Sequence, residues 1–226
     1  KANAEFSPLQ ASSSLQLSSP LPLFSPLQLS ASTDDFRYQL TLSSDKDFVL
    51  QGNAGYSQKS SQAQASYYVS QPFFKVTGEL QIEGETITVQ GDGWMDKEWS
   101  SQPLAANQTG WDWFSLHLDS GEKLMLFGLR STKKPSFYSG SWISAAGVVT
   151  PLTAEQIQLT PIKYTLINGR SLPTQWHIAL AHQAVDIKIK PLNPNAWMDT
   201  SIPYWEGPVS FAGSHAGRGY LEMTGY

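Results

Sequence analysis

The chain has 226 residues, of which 40% are hydrophobic and only 15% charged, so it can bury a core and is not a wholly disordered polymer. With 19 acidic against 15 basic side chains the formal net charge is -4, and no Lys/Arg cluster supplies the electrostatic footprint of a nucleic-acid binder. The absence of cysteine excludes a disulfide framework, a thiolate nucleophile and a cysteine metal site.

The opening residues Lys1 to Phe6 lack the apolar core of a signal peptide, so either there was none or it has been removed. No stretch approaches the roughly 20 consecutive apolar residues of a membrane helix, so membrane association is expected only through a tether. Residues 7–30 are uncharged and rich in Ser, Leu and Pro. Prolines at 8, 20, 22 and 26 oppose a helix, and residues 1–30 read as an extended arm.

From Phe36 the pattern becomes period-two alternation, which predicts strands with one face on a core. Phe36, Tyr38, Leu40 and Leu42 form the first such run. Val76 to Ile82 and Ile87 with Val89 flank Glu83-Gly84-Glu85, a hairpin. Leu116 and Leu118 enter the turn Asp119-Ser120-Gly121 and leave through Leu124 and Leu126, a second hairpin. Thr153 to Gln158 can make a turn or two of helix. Val185, Ile187 and Ile189 alternate, as do Leu221 and Met223, and Gly213 to Gly217 reads as a hairpin turn. The predicted class is all-β, with up to about fourteen short strands in barrels or sandwiches. A boundary is placed in the small, polar segment Ser100 to Gly110. It separates the C-terminal part of a first domain, residues 31–105, from a second barrel, residues 106–226.

The richest region is Gly91-Asp92-Gly93-Trp94-Met95-Asp96-Lys97-Glu98-Trp99 followed by Gly110-Trp111-Asp112-Trp113-Phe114. Half of the eight tryptophans crowd here with four carboxylates. In an extended chain Trp94, Asp96 and Glu98 share one face, with neighbouring carboxylates about 7 Å apart. Carboxyl groups so close beside an indole have their pKa values pushed apart, the condition for one acid and one base. The alternative is that the tryptophans plug a barrel end while the acids pair with Lys or Arg at a rim. Gly110 to Trp113 is similar to the Gly-x-x-Trp opening of lipocalin barrels, whose indole is often covered by a late basic residue; Arg130 and Arg218 are candidates for that cover. Tyr204-Trp205-Glu206 repeats the pairing of aromatics with an acid, as wall or as core. The histidines His117, His177, His182 and His215 lack zinc-site spacing, with His177 and His182 expected on opposite faces of one strand. No Gly-x-Ser-x-Gly elbow or phosphate loop is present.

Together Trp94-Met-Asp-Lys-Glu-Trp-Ser100, Gly110-Trp-Asp-Trp-Phe114, Leu124-Met-Leu-Phe-Gly-Leu-Arg130, Tyr204-Trp-Glu-Gly207 and Gly217-Arg-Gly-Tyr-Leu-Glu-Met-Thr-Gly-Tyr226 resemble the AttH-like family. That family contains predicted secreted hydrolases and is related to hydroxyneurosporene synthase, a carotenoid hydratase. The resemblance implies tandem lipocalin-like (calycin) antiparallel β-barrels, the first incomplete in this chain. Position 97 is Lys where the family pattern has His or Arg, which removes any role needing an imidazole there.

The resemblance further implies a bacterial periplasmic or secreted protein, partnered by an apolar, lipid- or polyene-like small molecule and by an ABC-type exporter, without cofactor or metal. As an enzyme it would be a hydratase (lyase), with Asp96, Glu98 and Asp112 as the acid and water-orienting groups. Trp94, Trp99, Trp111, Trp113, Phe114, Arg130, Tyr204, Trp205 and Glu206 are the expected ligand wall. The competing readings are a non-enzymatic lipid carrier and, by family label only, a hydrolase. Geometry discriminates the first two: carboxylates facing a solvent-reachable cavity favour chemistry, whereas carboxylates locked to Lys or Arg favour a structural role.

Overall fold

The structure is a computed structural model that describes residues 26–61, 64–100, 104–133 and 135–226. Most of the expected N-terminal arm and part of the expected boundary segment lie outside the described residues. The chain forms two compact units: one takes the residues up to Phe48 with Gln71–Met95, the other Val49–Ser70 with Asp96–Tyr226. The division therefore does not fall at residue 105. The reason lies in two long strands, β5 (Ala65–Ile82) and β6 (Glu85–Trp99), each of which contributes residues to both units.

In the first unit β1 (Leu27–Ser32) and β2 (Phe36–Ser43) pair antiparallel, and β2 pairs along β5 from Phe36↔Ile82 to Ser43↔Lys75. The expected hairpin at Glu83-Gly84 joins β5 to β6, with both residues at positive φ, 51° and 83°. Two successive left-handed residues give the turn whose twist matches a two-stranded ribbon.

In the second unit β3 (Val49–Leu50) and β4 (Tyr56–Gln58) pair with the first residues of β5, at Val49↔Ser70 and Tyr56↔Tyr67. The rest is one antiparallel sheet, curled into a half-barrel. In chain order its strands are β7 (Gln108–Leu118), β8 (Lys123–Ser131), β9 (Phe137–Ile143), β10 (Val149–Leu152), β11 (Gln158–Ile167), β12 (Arg170–Leu180), β13 (Val185–Pro191), β14 (Trp197–Met198), β15 (Tyr204–Gly213) and β16 (Gly217–Thr224). Across the sheet the order is β10-β9-β8-β7-β16-β15-β13-β12-β11, with β14 on β15. Sixteen strands thus replace the fourteen expected among the described residues. The helical propensity at 153–158 yields one 3-10 turn, Ala154–Gln156, closed by a Thr153/Gln156 capping box. His182 sits in a second 3-10 turn, Ala181–Gln183, rather than on the strand that carries His177.

Alternation decides what is inside. Phe114, Leu116, Leu124, Leu126, Ile178, Ile187, Ile189, Leu221 and Met223 point to a single core, which Trp176 and Trp205 complete. The Phe114 and Trp176 rings meet edge to face, 5.5 Å apart. Each such aliphatic side chain contributes on the order of 1.5–3 kcal/mol of burial free energy. The half-barrel is thus packed with side chains, and its ligand-sized space lies elsewhere.

Candidate functional site

The residues between the core positions face the other way. On β7 the indoles of Trp111 and Trp113 alternate with core-facing Asp112 and Phe114; on β16 Glu222 lies between Leu221 and Met223; on β8 Phe127 and Leu129 flank Gly128. Together with Lys59, Tyr68, Asp96, Glu98 and Ser100 they line an open cleft of about 420 Å³. All of these residues belong to the second unit.

The acidic side of the cleft is built by two strands in step. Ser66, Tyr68 and Ser70 are alternate residues of β5, and Asp96 and Glu98 are alternate residues of β6. Ser70 Oγ donates to Asp96 Oδ1 at 2.5 Å, and the wholly buried Gln51 donates its Nε2 to Ser70 Oγ at 2.9 Å. Ser66 Oγ donates to Glu98 Oε1, which also meets Lys59 Nζ at 2.6 Å. The ammonium of Lys59 lies over the rings of Phe127 and Tyr68, 4.2 Å and 4.9 Å from their centroids. Burial pushes the Lys59 ammonium down from its ordinary value, and the negative charge of Glu98 pulls it partly back.

The aromatic side is anchored by its polar edges. Trp113 Nε1 donates to the buried Tyr68 hydroxyl at 3.0 Å. Burial, reinforced by the charges of Asp96 and Glu98, pushes that phenol well above its usual range, so it stays protonated. Trp111 Nε1 donates to Glu222 Oε1 at 2.5 Å. Burial raises the Glu222 carboxyl, the Trp111 N–H pulls it back, and the charge of Glu98 raises it further. Across the ladder Glu206 pairs with Glu222 and is likewise raised, first by burial and then by Glu222.

The structure gathers four of the twelve side chains expected at the site, Asp96, Glu98, Trp111 and Trp113, on one cleft, and disperses the rest. Trp94 belongs to the first unit. Trp99 is half exposed, with Lys97 Nζ 5.2 Å from its ring centroid. Phe114 and Trp205 are core, the Trp205 indole donating to the Pro194 carbonyl at 2.8 Å. Tyr204 and Glu206 lie outside the cleft lining. Asp112 is buried on the opposite face of β7, where Arg130 Nη1 meets Oδ1 at 2.5 Å and the Tyr226 hydroxyl donates at 2.8 Å. Arg130 does not cover Trp113. Its guanidinium stacks on Tyr226, 3.9 Å from the ring centroid, because the side chain follows Asp112 to the core face. Arg218 is exposed on β16. Since Trp205 fills the core, Trp205→Phe should cost about 1–3 kcal/mol in urea unfolding, through lost volume and one lost hydrogen bond. Ligand affinity at the cleft should be unchanged.

Lys59, Tyr68, Phe127, Leu129 and Glu222 were not legible as site residues. One signal did exist for two of them: Leu124 to Leu129 is an unbroken apolar run, which marks a strand covered on both faces, and all six positions are buried. Lys59 sits in a polar stretch with no such mark.

The crystal structure of an AttH protein from Nitrosomonas europaea superposes with a TM-score of 0.83 at 33% identity, over 89% of this chain and 65% of that one. Kievitone hydratase from Nectria haematococca matches with a TM-score of 0.75 at 18% identity, over 88% of this chain and 64% of its own, a likeness of fold. The chain therefore spans a little under two thirds of the length of these relatives. No curated protein sequence matches it. The AttH-like family model aligns with residues 3–226, nearly the whole of the sequence, and the chain belongs to that family.

Proposed function

We propose that the cleft binds an apolar small molecule outside the cytoplasm and adds water to an isolated carbon–carbon double bond of it. The observation that carries the reading is one cleft that sets carboxyl groups against an aromatic wall. The fold shared with kievitone hydratase supports it. In this reading the Glu222 carboxyl, held up by burial, gives its proton to one alkene carbon. Positive charge then develops on the other carbon, against the π faces of Trp111, Trp113 and Phe127. Water bonds to that carbon and passes its proton to Asp96, which the Ser70 and Gln51 hydrogen bonds orient.

The test is incubation with prenylated and polyene alkenes in H2(18)O, scored by mass for a water adduct. Asp96→Asn should lower its rate of formation about 10²–10⁴-fold; undiminished turnover would remove Asp96 from the mechanism. A carrier role is the second reading, favoured by the Lys59–Glu98 ion pair, which occupies one carboxylate without chemistry. Export partnership would accompany that role. Native mass spectrometry of protein taken straight from its host separates the readings: an unmodified co-purifying lipid supports the carrier, a hydroxylated product the hydratase.

A further inference from the structure

The charge in the cleft is unbalanced in a direction that apolar binding alone does not explain. Asp96 and Glu98 face it from β6, while Lys59 is the single cationic side chain among the described lining residues. That one ammonium already rests on two rings of the cleft, those of Phe127 and Tyr68, and on one carboxylate. A desolvated ammonium seated on aromatic faces beside a carboxylate is the arrangement by which proteins recognise organic cations. The remaining wall, Trp111 and Trp113, offers two more indoles whose N–H edges are tied to Glu222 and Tyr68. Tying the edges fixes how the rings are oriented in the cleft.

We propose that this cleft selects apolar ligands bearing a positively charged centre, an organic cation seated between the indoles and Asp96, for which Lys59 is the built-in competitor. The inference rests on the reading that the cleft binds apolar molecules, and it names the charge those molecules carry or develop. A stable ammonium then imitates the carbocation of alkene hydration, and an apolar amine is a ligand in its own right.

The experiment uses an isosteric pair, phenyltrimethylammonium and tert-butylbenzene, which differ in charge but hardly in shape. Both are titrated into the whole chain while the indole N–H resonances of Trp111 and Trp113, assigned through Trp→Phe variants, are followed by NMR. The cation should bind at least about tenfold more tightly than the neutral isostere. Asp96→Asn should weaken cation binding about tenfold and leave the neutral probe unchanged. Lys59→Met, which keeps the apolar stem and removes the competing charge, should tighten it, an effect that damage to the fold cannot produce. Equal affinities, or cation binding weakened by Lys59→Met, would overturn the proposal. A neutral probe that shifts the two indoles without any preference for charge overturns this inference and leaves the apolar-binding reading standing; no shift with either probe removes both.

Discussion

Replacing Arg130 by Met will destabilise the second unit by about 3–5 kcal/mol, the largest loss expected from any single surface-reaching side chain in it. Asp112 is 5% exposed, and burial already pushes its carboxyl above the ordinary value while Arg130 and the Tyr226 hydroxyl hold it back. The guanidinium also ties β8 to the end of β16, by donating Nη2 to the Thr224 carbonyl. Gly110 permits that approach, since a Cβ there would meet both the Thr224 carbonyl and the guanidinium. Without Arg130 the Asp112 charge stays buried with a single neutral donor. The sign of the pH dependence follows. A carboxyl whose folded pKa is raised contributes stability that is complete below its unfolded pKa and is lost as pH rises through the folded pKa. The deficit of Arg130→Met should therefore shrink on acidification. The double variant Asp112→Asn, Arg130→Met should recover most of it, because no buried charge remains. Urea unfolding at pH 4 and pH 7 reads both outcomes; a deficit that does not change with pH would mean that packing on Tyr226, not charge, is what Arg130 supplies.

The same pair shows what period-two alternation can and cannot tell. Alternation identified β2, β13 and β16, the three hairpins and the all-β class, because each strand has one face on a core and the pattern is local. It also separates Asp112 from Trp111 and Trp113, which must point to opposite faces of β7. Read as one motif, Gly110-Trp-Asp-Trp-Phe114 suggested a shared site; the strand divides it into a core half and a cleft half. Asp96 and Glu98 were legible as a pair because both lie on one strand. Their partners Ser66, Tyr68, Ser70 and Lys59 were not, since they arrive from β5 and the segment before it, some thirty residues earlier in the chain. The position of Glu222 between Leu221 and Met223 looks like an ordinary solvent-facing strand residue. Only the pairing of β16 with β7 reveals that its face is shared with Trp113.

Glu222→Gln is expected to lower the rate of water addition about 10²–10⁴-fold while making the protein more stable at neutral pH. The two effects have one origin. Glu222 is held in a cleft that disfavours its charge, first by burial and then through Glu98, with the Trp111 N–H opposing. Its folded pKa is raised above the unfolded glutamate value of 4.5, so its contribution to stability is complete below that value and is lost as pH rises through the folded pKa. As pH rises from the unfolded value toward neutrality the wild-type chain gives up this contribution, whereas glutamine, which never ionises, keeps it. The stability of the variant should exceed that of the wild type at pH 7 and converge with it toward pH 4. A smaller decline with pH will persist in the variant, because Glu206 and Asp112 are raised in the same direction. Glutamine keeps an oxygen to accept from Trp111 Nε1, so the indole should hold its place and binding of a neutral apolar probe should survive. Loss of binding together with activity would assign Glu222 to holding the wall rather than to proton transfer. A variant that loses turnover, keeps its ligand and gains stability at pH 7 would locate the proton donor on the last strand of the chain, across the cleft from the carboxylates of β6.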